Sequence, residues 1–276
     1  MSDMRSDLAK TIRRLALVDG LQESCLRGTH CIKISQTDRR AKRYWRASLS
    51  IVAQGCKEIV LGREVYRCDG GHYIAAPIDL PVSSRILSAT PEHPFLCLKI
   101  DFDSLTLSQV ATHMQKVSPI ETENPLRALF IGKASDKMLD AALRLGMLLQ
   151  TPDDVRVLGP LVIREILYHL LKGSDGPAIR QFVRAGSKMH KISQALYSLK
   201  ADLSEDVDIT SLAKSARMSR SAFFKHFKEA TSMSPIQYQK LGSGECDDQR
   251  RYVRPAPAGR RRWSGRLSRR SSGPVA

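Results

Sequence analysis

The chain has 276 residues, 42% of them hydrophobic, and a formal net charge of +16. This length accommodates one large or two ordinary domains, and the hydrophobic content supports packed cores, which excludes a disordered chain. The positive charge favours a polyanionic partner, nucleic acid before an anionic membrane. The N-terminal sequence MSDMRSDLAKTIRRLAL lacks the apolar core of a signal peptide, and no segment approaches the ~18 apolar residues of a membrane span. We therefore expect a cytoplasmic protein with no membrane partner.

The six cysteines show no pattern typical of a metal or redox site. They include no CxxC pair and no paired spacing with histidines, so neither zinc binding nor disulfide exchange is indicated. Reduced, mostly structural thiols are the simpler interpretation, and we expect no cofactor and no metal.

The first predicted element is a helix over residues 4–18, in which Leu8, Ile12 and Leu15 recur at helical spacing. The chain then becomes β-rich between residues 48 and 102, where short apolar and β-branched runs alternate with glycine and proline. The predicted strands cover residues 49–53, 58–61, 72–76, 82–87 and 95–102. Strands at such close intervals predict a small sandwich or barrel.

Helical spacing returns after the last predicted strand. Residues 136–150 and 160–171 are dense in leucine, methionine and isoleucine, and Pro160 stands where a helix could begin. We expect these two helices to pack on the β-rich part or across a homodimer interface. The sequence GSDG over residues 173–176 then predicts a turn or hinge.

The segment over residues 208–229 predicts a short helix, a tight turn and a second helix. It reads DITSLAKSARMSRSAFFKHFKE. Thr210 and Ser219 are the expected N-caps of the two helices, and Phe223 and Phe227, four residues apart, form the expected buried side of the second helix. This is the pattern of a DNA-binding helix-turn-helix. Spacing alone leaves a generic helical hairpin open as the alternative.

The string LAKSARMSRSAFFKHFKEATSMSPIQYQK resembles the first helix-turn-helix of AraC/XylS-type transcription regulators. The likeness includes the serine that opens the second helix, the Phe227-Lys228 pair and the closing MSPIQYQK. The β-rich run and the helix PLVIREILYHLL are similar to the branch of that family with a cupin-like N-terminal sensor domain. The resemblance implies an α+β fold, in which a β-rich cupin-like barrel with flanking helices precedes an all-α helix-turn-helix unit.

The same resemblance divides the chain into four parts. They are a sensor and dimerisation domain over residues 1–175, a linker over 176–188, the first helix-turn-helix over 189–240 and a tail over 241–276. The implied function is that of a transcription regulator, not an enzyme, which binds double-stranded promoter DNA and responds to a small-molecule effector. A homodimer and contact with RNA polymerase are further implied partners.

Five residues of the second helix are candidates for contact with DNA. By their positions in the family motif, Ser221, Phe224 and Lys225 would read bases, because Lys225 suits guanine acceptors and Phe224 can contact a thymine methyl. Arg220 and Lys228 would contact phosphates. The alternative for Phe224 is a third core aromatic.

An effector held in the barrel would be lined by inward-pointing residues at alternate strand positions. The candidates for this lining are Ile51, Ile74, Ile86 and Leu98. The chemical identity of the effector is not readable from them.

A metal-dependent cupin enzyme is a competing interpretation. Its ligands would come from His72, His93, Glu92 and Asp101. A metal site needs ligands that converge, usually from a close histidine pair, and the sequence has no such pair. We therefore expect these residues to be structural or to lie at the surface.

The family pattern stops after Gln239-Lys240. Residues 241–276 hold nine arginines, no lysine and three acidic residues, a net charge of +6, with glycine and proline recurring between sparse apolar residues. This composition is typical of an out-of-frame translation of a GC-rich gene, so we expect a disordered tail and the loss of the second helix-turn-helix of the family. A natural basic arm that tracks DNA is the open alternative for the tail. A sensor that no longer binds DNA is the corresponding alternative function.

Overall fold

The computed structural model describes residues 3–115, 127–201 and 209–238, and the expected tail lies outside these residues. The strands, in chain order, are β1 (Gly20–Glu23), β2 (Thr29–Ile34), β3 (Ala41–Trp45), β4 (Ser48–Gln54), β5 (Cys56–Leu61), β6 (Glu64–Asp69), β7 (His72–Ala76), β8 (Leu80–Ser88), β9 (Phe95–Asp101) and β10 (Phe130–Lys133). The helices are α1 (Met4–Leu15), α2 (Ser104–Gln115), α3 (Asp136–Leu148), α4 (Pro152–Lys172), α5 (Gly176–Gln181), α6 (Lys188–Ala201), α7 (Ile209–Ser215) and α8 (Arg220–Thr231).

The strands form two antiparallel sheets. Sheet A has the order β1-β2-β9-β4-β7-β10, and sheet B has the order β3-β8-β5-β6. The expected combination of sheets and helices is confirmed, but the expected closed barrel is wrong, because no pairing joins the two sheets within the described residues. The chain passes from sheet A to sheet B at Gly55, where φ is +84° and a Cβ atom would meet the carbonyl oxygen of Ser88 at 2.8 Å. Since the chain changes sheet at this bend, the result is a two-layer sandwich.

Side-chain alternation gives sheet A two different faces. On one face, the hydroxyl of Tyr73 donates a hydrogen bond to Asp175, just before α5, at 2.6 Å. Ile51 is the register partner of both Tyr73 and Leu98, so these residues share this helix-facing side. The opposite face, which includes Phe95, points towards sheet B. We call that face and the side of sheet B opposite it the inter-sheet face.

The helices α1, α3 and α4 pack together on the outer side of sheet A. The expectation that a helix begins at Pro160 is wrong, because Pro160 lies inside α4. That helix begins instead at Pro152. Proline fits the first turn of a helix, because the backbone N–H groups there have no partner within the helix and the missing N–H of proline costs no hydrogen bond. The turn expected after α4 is present over residues 173–175, and α5 lies within the expected linker.

Candidate functional site

The helices α7 and α8 begin within the segment over residues 208–229 and are joined by a short turn. The turn between them contains Arg217, a non-glycine residue with φ of 51°. The expected cap at Ser219 is confirmed, because its side chain accepts a hydrogen bond from the backbone N–H of Ala222 at 3.2 Å. The expected cap at Thr210 is wrong, since Thr210 is the second residue of α7, which begins at Ile209.

The buried side of this unit is aromatic. Phe223 and Phe227 are fully buried, with ring centroids 5.6 Å apart, and Tyr238 packs edge-on against Phe227 at 5.5 Å. Ala213 and Ala216 are buried as well, and their small side chains leave room for the two helices to approach each other. The predicted buried positions of the second helix are therefore confirmed.

The candidate DNA-contacting residues share the other side of α8. Arg220, Ser221, Lys225 and Lys228 are exposed, whereas Phe224 is half-buried against the core. Positions that are four residues apart lie on one face of a helix, which brings these side chains together. The partial positive charge at the N-terminus of α8 adds to the positive charge of this face. The helix therefore presents a compact, cationic surface above a fully buried aromatic core.

The end of α8 is fixed to sheet B. The hydroxyl of Tyr238 donates to the carbonyl oxygen of Asp79 at 2.8 Å and lies 3.0 Å from the hydroxyl of Tyr44 on β3. The backbone N–H of Ala128 donates to the carbonyl oxygen of Ala230 at 3.1 Å. These contacts use the C-terminal end of α8 and the residues after it, so the cationic side of α8 stays open to solvent.

The structure separates the four candidate effector-lining residues into two pairs. Ile86 lies on the inter-sheet face of sheet B, and Ile74 lies on the inter-sheet face of sheet A. Ile51 and Leu98 are fully buried register partners on the opposite, helix-facing side of sheet A. Ile74 and Ile86 thus border the space between the sheets, and Ile51 and Leu98 do not.

Cationic side chains also lie on the inter-sheet face. Lys99, which is 9% exposed, pairs with Asp101, and Asp101 is also 3.2 Å from Nε2 of His30. Burial raises the pKa of Asp101, but the hydrogen bond from His30 and the charge of Lys99 outweigh it and lower the pKa to about 2. Arg43 pairs with Asp38 at 3.2 Å. These cations therefore have carboxylate partners.

Lys57 differs from these cations. It follows the turn at Gly55 and shares the inter-sheet face of β5 with Ile59. Its Nζ lies 4.5 Å from the ring centroid of Trp45 and 6.0 Å from that of Phe95, which belongs to the other sheet. Within the described residues it makes no ion pair. Burial lowers the pKa of Lys57 from 10.5 to about 8.

Sequence reasoning missed Lys57, although a signal was present. The strand predicted from the sequence begins at Glu58 and leaves out Lys57. Extended by one residue, the strand places Lys57 at alternate positions with Ile59 and Leu61, both buried, which is the pattern of one strand face. Ser84 lies within the predicted strand over residues 82–87, but its burial, with 1% of the residue exposed, is not evident from the sequence because serine is polar and usually exposed.

The residues considered for a metal site do not converge. Asp101 lies at the far end of β9 from His93, which precedes the strand, and a seven-residue strand is about 20 Å long. No group of three histidine, cysteine, aspartate or glutamate side chains in the described ranges could hold a metal ion. In the same ranges, no helix has the length and apolar character needed to cross a membrane.

Comparison with known proteins gives a family match and distant structural neighbours. The family described as AraC-type transcriptional regulator N-terminus matches residues 26–178. No curated protein matches the chain. An apo variant of ToxT from Vibrio cholerae strain SCE256 is 9% identical, with a TM-score of 0.38, over 79% of this chain and 99% of that chain.

Two further solved structures are similarly distant. Fatty-acid-bound wild-type ToxT from the same strain is 12% identical, with a TM-score of 0.36, over 78% of this chain and 94% of that chain. The AraC-like transcriptional activator CuxR is 14% identical, with a TM-score of 0.31, over 77% of this chain and 74% of that chain. Structural likeness at this level carries no argument about function. The family match spans more than half of the 276 residues, and the chain therefore belongs to the AraC-type transcriptional regulators.

Proposed function

We propose that this protein is a cytoplasmic transcription regulator that binds double-stranded DNA through α8 and responds to a small molecule bound in its two-sheet domain. The observation that carries the proposal is the division of α8 into two sides. Phe223 and Phe227 are fully buried, while Arg220, Lys225 and Lys228 are exposed even though the end of the helix is fixed to sheet B. A helix built in this way can enter the major groove without unfolding its support.

The exposed residues of α8 have two proposed roles. Ser221, Phe224 and Lys225 read base edges, and Arg220 and Lys228 contact phosphates on either side of them. Phe224 is half-buried, which leaves part of its ring available for a thymine methyl group. The neighbouring ion pair between His226 and Glu229, at 3.0 Å, lies outside the proposed contact set.

A homodimer through α3 and α4 is part of the proposal. Apolar side chains of these helices are exposed at helical spacing, namely Met147, Val157, Leu158, Leu161 and Tyr168. Exposed apolar stripes of this kind mark surfaces that bind a partner, and a second copy would bring two α8 helices to two half-sites. Sedimentation of residues 1–175 alone should show a dimer. A monomer at concentrations where the full chain is dimeric would contradict this interface.

We also propose that specific DNA binding is weaker than that of a regulator with two motifs. One helix-turn-helix supplies roughly half the phosphate and base contacts of a tandem pair, which corresponds to several kcal/mol of specific binding. Translation of the nucleotides that encode residues 241–276 in the other two frames tests the origin of the tail. If neither frame encodes a second motif, the frameshift explanation is wrong and a natural basic arm remains.

The central experiment selects binding sites from a randomised DNA duplex library and measures affinity for the selected duplex at increasing salt. Affinity should fall linearly on a log–log plot, and Lys228→Ala should flatten the slope by about one unit. Lys214→Ala is the matched control. Lys214 is an exposed lysine of α7 outside the proposed contact surface of α8, so its removal should leave the slope unchanged. If the full chain selects no sequence and its binding is independent of salt, the protein is a sensor that does not bind DNA.

RNA polymerase is proposed as the further partner at the promoter.

A further inference from the structure

The ammonium group of Lys57 lies between the two sheets, over the ring of Trp45 and close to Phe95. Lys57 is half-buried, and a cation against an aromatic face gains about 0.5–2 kcal/mol, which is less than a charge loses when it leaves water completely. Asp38, the carboxylate whose charge acts on Lys57, accepts a hydrogen bond from the backbone N–H of Ile86 and pairs with Arg43. The described residues therefore leave the charge of Lys57 without a carboxylate of its own.

The contrast with Lys99 on the same inter-sheet face is informative. Lys99 is paired with Asp101, which is held in turn by His30. The fold thus supplies a carboxylate where a lysine is needed only for structure. At Lys57 it supplies aromatic rings and no acid, an arrangement that suits a charge whose partner comes from outside the chain.

A second polar group on this face also lacks a partner. The hydroxyl of Ser84 is 1% exposed and makes no hydrogen bond within the described residues. Ser84 lies two residues from Ile86 on β8, and Ile86 is the register partner of Lys57. Diagonal neighbours of this kind in adjacent strands are about 7–8 Å apart and point to the same side of the sheet. A ligand at Lys57 would therefore have a donor close by.

Apolar side chains at one edge of the inter-sheet face are partly exposed. On the inter-sheet face of β2 and β3, Ile32, Ile34 and Trp45 are only half-buried. Behind them, Ile59 and Phe95 are almost fully buried. These half-exposed side chains offer an apolar surface to the body of a ligand, beside Lys57, whose Nζ lies over the ring of Trp45.

We propose that the inter-sheet face binds an organic carboxylate with an apolar body, whose carboxylate pairs with Lys57 and whose body packs between Trp45 and the isoleucines of β2. The hydroxyl of Ser84 donates a hydrogen bond to the same ligand. This proposal names the effector class and rests on the proposed function only in assuming that the bound ligand alters DNA binding.

The experiment measures binding of decanoate and of 2-naphthoate, each against its neutral primary alcohol, by calorimetry and by tryptophan fluorescence. The chain has two tryptophans, so Trp263→Phe leaves Trp45 as the single reporter. At least one acid should bind more tightly than its alcohol and change Trp45 emission. Lys57→Met should weaken binding of that acid tenfold or more and leave binding of the alcohol unchanged, whereas Lys57→Arg should retain it.

Lys42→Met is the matched control, because Lys42 lies on the other, exposed side of β3 and should bind the acid as the unmodified chain does. Thermal unfolding of Lys57→Met by circular dichroism verifies that the variant is folded. If neither acid binds better than its alcohol, or if Lys57→Met binds the acid unchanged, the inference is wrong. A chain that binds DNA but no acid contradicts only this inference, and a chain that binds the acid but no DNA contradicts only the proposed function.

Discussion

The helix-turn-helix unit and the two-sheet domain place their charged side chains in opposite ways. In α8 the core consists of phenylalanine, and the lysines and arginine lie outside in water. Between the sheets, Lys57, Lys99 and Asp101 lie inside, among isoleucines and aromatic rings. An exposed charge costs little free energy and suits contact with the regularly spaced phosphates of a large polyanion, whereas a buried charge needs a specific partner. The first arrangement fits DNA, and the second fits a small molecule.

The largest expected effect concerns the aromatic core of the helix-turn-helix. Phe227→Ala removes a fully buried ring that touches Phe223 and Tyr238, and we expect it to destabilise α7 and α8 by about 4 kcal/mol. Hydrogen exchange should show loss of protection in these helices while β4 and β9 remain protected. Ile236→Ala, at a position 48% exposed in the same unit, is the control and should change little. Equal loss of protection in both regions would show that the two units unfold together.

The next effect concerns the paired cation between the sheets. Asp101→Asn leaves Lys99 buried without its carboxylate, and we expect a loss of about 3 kcal/mol in the free energy of unfolding. Because the pKa of Asp101 is lowered to about 2, its contribution is present above the ordinary value of 3.8 and is lost as the pH falls towards 2. Urea unfolding of both proteins as a function of pH measures this. If Asp101→Asn is as stable as the unmodified chain, the ion pair between Lys99 and Asp101 does not contribute to stability.

The two regions also differ in how far the sequence predicts them. Within α8, helical periodicity alone separates Phe223 and Phe227 from Arg220 and Lys225, because residues four apart on a helix lie on the same side. The family resemblance added the roles. Here local spacing and tertiary structure agree, so the buried side and the cap at Ser219 could be predicted.

Between the sheets, periodicity is insufficient. The strand face of a residue depends on register and bulges, and β5 contains a register shift between Cys56 and Lys57. Continuous apolar strands such as β4 and β9 are buried on both faces, so Ile51 and Ile74 look alike in sequence although they lie on opposite sides of sheet A. The strand β6, with the sequence EVYRCD, was not predicted because its charged residues interrupt the apolar run by which the other strands were recognised.

A smaller effect tests the exposed charges of α8. Lys225→Ala should weaken binding to the selected duplex by about 2 kcal/mol and relax the preference at one base pair, because a base contact is lost. Fluorescence anisotropy with the selected duplex and with single-base variants measures both changes. The fold should be unaffected, since Lys225 is exposed. Uniform weakening on every duplex would make Lys225 a phosphate contact and move base reading to its neighbours.

The smallest effect concerns the unpaired cation between the sheets. The pKa of Lys57 is lowered from 10.5 to about 8, so the folded chain loses this proton at lower pH than the unfolded chain does. Between these values the unfolded chain binds more protons, so the free energy of unfolding should rise with pH. Of the other groups near Lys57, Arg43 and Asp38 pair with each other, and burial raises the pKa of Cys68 and that of Cys97, the latter to about 11. The free energy of unfolding, measured with urea, should depend less on pH in Lys57→Met than in the unmodified chain. An identical rise in both proteins would show that a different group is responsible for the rise.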